Sequence, residues 1–241
     1  MIIYVDNKEK ICYIMAPKCG SHSLSTMLNT DLHTVYPEWH LDNDDYRKII
    51  IIRKDVIDRF LSGFYEDLIN NTCYDNMNIT FNDYLLFLFK CYNEKIPNVN
   101  NLQVYTGSDN PVCYGNCGGV TKNITDENGL FCSHIMSQKY AIQSLINNIV
   151  GKNVKIIELN DLQKILPNTI KTHAREKKKF TDIDITNFPL CDIKKQKLIM
   201  SKENLNEEQK NIILKIYEED INFFEMLEGK FMRPLDIEPV L

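Results

Sequence analysis

Apolar residues are grouped along this chain in two ways. Compact runs occur at residues 10–16 (Lys-Ile-Cys-Tyr-Ile-Met-Ala), 49–52 (four isoleucines) and 154–158 (Val-Lys-Ile-Ile-Glu). They are too short for helices and rich in β-branched residues, so they predict strands. The isoleucine run is bounded by charges and predicts a central parallel strand buried on both faces. Other apolar positions recur at helical spacing. Val56, Phe60, Phe64 and Leu68 predict a helix directly after the isoleucine strand. Residues 80–92 predict a second helix, with Thr80 as N-cap and Asp83 at the N3 position. Further helices are predicted from Ser137 to Ile149, from Asp161 to Leu166, and from Asn206 to Phe224. The last is amphipathic through Ile212, Ile213, Ile216, Tyr217 and Ile221.

Between these blocks, residues 97–133 are polar and hold most of the glycines, which predicts a loop-rich insertion. No internal repeat or domain boundary stands out. Strands alternating with helices predict one α/β domain over residues 1–241, with a central parallel sheet flanked by helices.

Composition narrows the function classes. The 241 residues are 44% hydrophobic, enough for one well-buried core. A formal net charge of −5 argues against general nucleic-acid binding, which needs a basic face. It does not argue against a phosphate site, which needs only local N–H groups and a few cations. No run reaches the ~20 apolar residues of a membrane span. The opening Met1-Ile-Ile-Tyr-Val-Asp6 lacks a basic lead and turns polar at once. The expectation is a cytoplasmic chain if this is the whole protein, and the Golgi lumen if an N-terminal anchor was removed.

The eight cysteines are expected to be mostly reduced and buried, because a chain of this size needs no staples. Cys113, Cys117, Cys132 and His134 are closer together, but their spacing fits no common zinc module, and no metal is expected. The sequons at Asn70, Asn78 and Asn123 are what an asparagine-rich chain gives by chance. The basic stretch Lys171-Thr-His-Ala-Arg-Glu-Lys-Lys-Lys179 reads as a solvated loop, with a phosphate-contacting lid as the alternative.

Candidate chemistry begins at Pro17-Lys18-Cys19-Gly20-Ser21-His22-Ser23. A strand, a tight small-residue turn and a helix opening in that order make an anion cradle, because unpaired N–H groups and the positive dipole end point at the turn. The loop is not a Walker A motif, since its lysine comes early and no G-K-[S/T] follows. Arg53 closes the isoleucine strand, where a guanidinium gives fork-shaped donors to a phosphate. Ser62 lies nine residues on, and Arg59, three before it, shares its helix face.

With these residues together, the chain resembles the PAPS-dependent sulfotransferases, closest to their carbohydrate (Golgi-type) group. Ile14-Met-Ala-Pro-Lys-Cys-Gly-Ser-His-Ser-Leu24 is similar to that family's 5′-phosphosulfate loop. Ile50-Ile-Ile-Arg-Lys-Asp-Val-Ile-Asp-Arg-Phe-Leu-Ser-Gly-Phe64 is similar to its 3′-phosphate element. Two weaker echoes follow: Val154–Leu162, like the strand with "E-x-L", and Ile216–Phe224, like a closing "I-Y-x-x-D-x-x-x-F" helix. The chain departs from the pattern where Lys54-Asp55-Val56 replaces Asp-Pro, and where His22 stands at a position more often hydroxylic.

The resemblance implies a P-loop-NTPase-like three-layer fold and transfer of a sulfuryl group from PAPS (3′-phosphoadenylyl sulfate) to an acceptor hydroxyl, leaving PAP. The acceptor it points to is a carbohydrate, with tyrosine and small-molecule hydroxyls as alternatives. Lys18 would stabilise the leaving oxygen. Lys18, Cys19, Gly20, Ser21, His22 and Ser23 would hold the 5′-phosphosulfate; Arg53 and Ser62 would hold the 3′-phosphate. Arg59 is either a further contact or a structural ion-pair partner. His40 is the expected general base, with His134 or a carboxylate such as Glu38 as alternatives. The competing classes are a nucleotide or nucleoside kinase of related fold and a sulfotransferase-like binding protein without turnover.

Overall fold

The computed structural model describes residues 2–6, 9–20, 24, 46–70, 74–75, 78–99, 103–104, 112–113, 124–149, 151–162 and 184–231. Its main strands are β1 (Ile2–Asp6), β2 (Ile11–Met15), β3 (Lys48–Arg53) and β4 (Val154–Glu158). Its α-helices are α1 (Val56–Asn70), α2 (Phe81–Glu94), α3 (Gln138–Ile142), α4 (Ile146–Ile149), α5 (Leu190–Gln196), α6 (Glu207–Ile216) and α7 (Glu218–Phe231). The chain divides into two compact units. One comprises Met1–Asp55, Ser137–Ala174 and Glu219–Leu241; the other comprises Val56–Met136 and Arg175–Glu218.

The first unit holds a four-stranded sheet in the order β1-β2-β3-β4. The run Ile49–Ile52 lies at its centre, each isoleucine 1% exposed, as continuous hydrophobicity predicts. β2, β3 and β4 are mutually parallel, with Met15 opposite Ile52 and Arg53 opposite Glu158. The expected all-parallel sheet is corrected at one edge, because β1 pairs with β2 antiparallel, Tyr4 opposite Tyr13. Residues 2–6 had read only as a polar-turning start. They are β-branched and aromatic, and a hairpin partner so close in sequence can only return antiparallel. The sheet with its helices has α/β character, and it is mixed. Among the described residues no helix is long and apolar enough to cross a membrane.

The second unit is mostly helical around an aromatic core. Phe64 packs edge-on against Phe81 with ring centroids 5.1 Å apart, and Phe60 lies 6.1 Å from the ring of Tyr217. α2 begins as the sequence predicts. Thr80 Oγ1 accepts from the Asp83 N–H at 3.1 Å, and Asp83 Oδ2 accepts from the Thr80 N–H at 2.9 Å.

The C-terminal helix predicted from Asn206 to Phe224 is two helices. The helical course breaks at Tyr217 (φ −110°, ψ 21°), whose buried ring stays in the aromatic core while its hydroxyl donates to the Ile135 carbonyl at 2.5 Å. The helix predicted from Ser137 to Ile149 is likewise divided into α3, a 3₁₀ turn (Gln143–Leu145) and α4. Short helix α5 was not predicted; it is polar, and only Leu190 and Ile193 anchor it in the core. Within 97–133, Gln103–Val104 pairs antiparallel with Val112–Cys113, and Thr125 bridges Phe131. Of the helix predicted over Asp161–Leu166, the described part is a 3₁₀ turn, Leu159–Asp161, and the cap Leu162.

Gly63 sits in the middle of α1 under the 3₁₀ segment Ser133–Ile135. A β-carbon there would run into the carbonyl carbon and oxygen of His134. Alanine would gain about 1 kcal/mol of helix propensity, yet backbone cannot give way as a side chain does. Gly63→Ala is expected to destabilise by roughly 1–3 kcal/mol in urea unfolding; a midpoint at or above wild type would show that propensity wins.

Burial pushes the thiol of Cys12 up to about 12, although Lys152 opposes this, and raises that of Cys91 to about 11. Alkylation of the native protein at about pH 8 should therefore leave both unmodified in peptide mass maps. Labelling of either at the rate of half-buried Cys191 would show that the strand or helix bearing it is open.

Candidate functional site

The first unit carries the loop that follows β2. Its backbone turns sharply: the Cys19 N–H donates to the Ala16 carbonyl at 3.3 Å, and Lys18 and Gly20 are both left-handed, at φ +67° and +89°. A lysine in this region costs about 1–2 kcal/mol of backbone strain. The conformation is held by its neighbours. Cys19 is wholly buried and its Sγ donates to Gln138 Oε1 at 3.1 Å. Gly20 packs so closely on Leu159 that a β-carbon would meet Leu159 Cδ1. The N–H of Leu24 donates back to the Gly20 carbonyl at 2.9 Å, as in a helix's first turn. Turns with left-handed residues are the backbone from which anion-binding concavities are built. Lys18 is half-buried at the apex. Ser21, His22 and Ser23 lie outside the described residues.

Arg53 ends β3 at the same edge. Because Met15 pairs with Ile52, the residues that follow them, Ala16 just past β2 and Arg53 at the end of β3, lie side by side, about 4.8 Å apart at the strand spacing. The guanidinium is already held. Its Nε donates to Glu158 Oε1 at 2.5 Å, its Nη1 lies 2.8 Å from Glu228 Oε1, and its Cζ lies 5.7 Å from the centroid of the Phe224 ring. These side chains are 27%, 38% and 32% exposed for Arg53, Glu158 and Glu228. Solvent screening holds each pair to about 1 kcal/mol or less, so they orient the guanidinium more than they stabilise the fold.

Behind both elements sits Gln138, 1% exposed. Besides Cys19, its Oε1 accepts from the Lys54 N–H at 3.2 Å, and its Nε2 donates to the Lys54 carbonyl at 3.0 Å. Gln138 is fixed in turn by Asp220 of α7. This carboxylate, 1% exposed, accepts from the Gln138 N–H at 2.8 Å, from the Lys139 N–H at 3.0 Å and from the Ser137 hydroxyl.

In the second unit, Ser62 is half-buried on α1. Arg59, one turn earlier, is 1% exposed, and its Nε and Nη2 have no hydrogen-bond partner among the described residues. A buried guanidinium with unmet donors costs several kcal/mol unless an anion compensates it. His134 has its Nδ1 2.6 Å from Asp67 Oδ1, an arrangement that fixes the ring's orientation. His40 and Glu38 lie outside the described residues. So does Cys117, and among the described residues no group of three or more His, Cys, Asp or Glu could hold a metal ion.

Sequence reasoning missed Gln138 and Glu228, which match no motif. Glu158, Asp220 and Phe224 did stand in the two weak echoes, as the "E" of "E-x-L" and as the "D" and "F" of the closing helix. Their contacts explain why those residue types stand there.

Alanine at Gly20 would have to adopt φ near +89° and displace Leu159. Gly20→Ala is expected to cost about 1–3 kcal/mol in urea unfolding, and unchanged stability would mean that the turn is not held as described. No family model, no curated protein and no solved structure matches this chain.

Proposed function

We propose that the chain is a PAPS-dependent sulfotransferase that moves a sulfuryl group to an acceptor hydroxyl on a carbohydrate, and that its fold is of the P-loop-like three-layer kind. The observation that carries this reading lies in the first unit. A left-handed turn bearing Lys18 and an arginine at a strand end leave the same edge of two adjacent parallel strands. Ligands of open α/β sheets bind at that edge. The unmet donors of buried Arg59, three residues from Ser62, add support for an anionic ligand.

On this reading the N–H groups of Gly20 to Ser23 hold the 5′-phosphosulfate, and Arg53 holds the 3′-phosphate. The bond from sulfur to the bridging oxygen breaks as the acceptor oxygen bonds to sulfur. Lys18 meets the charge that gathers on the bridging oxygen, so it favours the transition state over the ground state. The acceptor's proton passes to a base, for which His40 is the first candidate and His134, oriented by Asp67, the second.

A second reading is a sulfotransferase-like protein that binds without turnover. It draws on Arg53, whose guanidinium two carboxylates already engage. Thermal unfolding separates the donor classes. PAP at about a hundredfold above its Kd should raise Tm by about 5 °C or more, and ATP with Mg²⁺ should do less. Stabilisation by ATP and not by PAP would replace this reading with a kinase. Turnover of labelled PAPS over glycans, peptides and phenols then separates catalysis from binding alone.

A further inference from the structure

The distance between Lys18 and Arg53 is set by more than the sheet. Lys18 lies on the loop beyond β2, and Arg53 is the last residue of β3, where the sheet's own ladder stops. In the first unit one buried side chain joins the two loops. Gln138 accepts from Cys19 of one and both accepts from and donates to Lys54 of the other. Three of the four hydrogen-bonding positions of its amide are thereby filled, all by groups next to Lys18 or Arg53.

An amide can serve as such a gauge only if it cannot rotate or withdraw. Asp220 prevents withdrawal, because its carboxylate takes the backbone N–H groups of Gln138 and Lys139 and the hydroxyl of Ser137, and the amide's own three bonds oppose its rotation. Asp220, Phe224 and Glu228 recur every four residues and share one stripe of α7. The first sets Gln138, and the other two set the guanidinium of Arg53. One helix stripe therefore fixes both loops.

We propose that Gln138, held by Asp220, is a positioning residue that sets the spacing of the two phosphate subsites, so that the site selects a nucleotide bearing both 5′- and 3′-phosphates over one bearing the 5′-phosphate alone. The proposal rests on the sulfotransferase reading. A ligand with two phosphates on a rigid ribose is sensitive to that spacing, whereas a ligand with one phosphate is not. Gln138 touches neither phosphate on this account; it acts through Cys19 and Lys54.

The test compares the affinities of PAP and AMP for the full chain by calorimetry. Wild type should prefer PAP. Gln138→Leu, similar in volume and without hydrogen bonds, should lower that preference about tenfold, the scale of a lost charge-assisted contact, while AMP affinity changes by no more than about twofold. Asp220→Asn, which weakens the cap holding Gln138 and touches neither loop, should give a smaller loss of the same kind, and it decides the matter if Gln138→Leu does not fold. An unchanged PAP-to-AMP ratio in a folded variant overturns the positioning role. So does a proportional loss of both nucleotides, which is what a merely structural residue would give. If wild type itself does not prefer PAP, the sulfotransferase reading fails first, and this inference falls with it.

Discussion

β3 is enclosed on every side. Parallel neighbours take its hydrogen bonds at both edges, and its four isoleucines are sealed on both faces. A strand so placed has no tolerance for a polar side chain in its middle, and Arg53 stands at its end, opposite Glu158. The same geometry fixes β2, whose last paired residue, Met15, stands opposite Ile52. The turn holding Lys18 and the arginine are thus brought together by hydrophobic burial one to four residues away from either. The proposed site at this edge is positioned by residues that would take no part in it.

Beyond the strand ends that control lapses, and polar groups take it over. A buried amide and a buried carboxylate are costly unless their hydrogen bonds are met, so Gln138 and Asp220 are constrained to the partners that satisfy them. The constraint works in both directions. The loops are held because the amide needs them, and the amide is held because the carboxylate needs the N–H groups around it. Low dielectric strengthens such a network when it is complete and penalises it when it is not. Cys19 belongs to this network as a small buried donor rather than as a reactive thiol.

What the sequence disclosed follows this division. Runs governed by burial were legible: Ile49–Ile52, Ile11–Met15 and Val154–Glu158 stand where hydrophobic pattern put them, and Thr80 with Asp83 caps α2 through local chemistry alone. The edge strand Ile2–Asp6 was not, since a five-residue strand ending in a charge looks like any polar-turning start until its hairpin partner is known. Tyr217 was read correctly as apolar and helical in spacing, but its hydroxyl bond to Ile135 breaks the helix there, and a contact 82 residues away leaves no local trace. Gln138 was illegible for the same reason. Its partners lie 119 and 84 residues distant in the chain, and glutamine on a polar helix start carries no pattern.

The ion pairs of Arg53 bear on how an anion could use it. Two carboxylates beside one guanidinium leave the immediate neighbourhood at net −1, which opposes phosphate binding at long range. Yet they engage Nε and Nη1, and an arginine carries five N–H donors, so the Nη2 edge keeps its capacity. Orientation by carboxylates is also what makes an arginine fork effective, since less rotamer freedom is lost when the ligand arrives. The opposing charge is partly met by Lys54, one residue on, and by Lys18 at the neighbouring strand end. Because the pairs are about one-third exposed, each is weak, and a doubly charged phosphate with several acceptor oxygens competes with them on favourable terms. On the proposed reading, an arginine held in this way would discriminate: it would yield to a dianion placed at the right spacing and stay with its carboxylates otherwise.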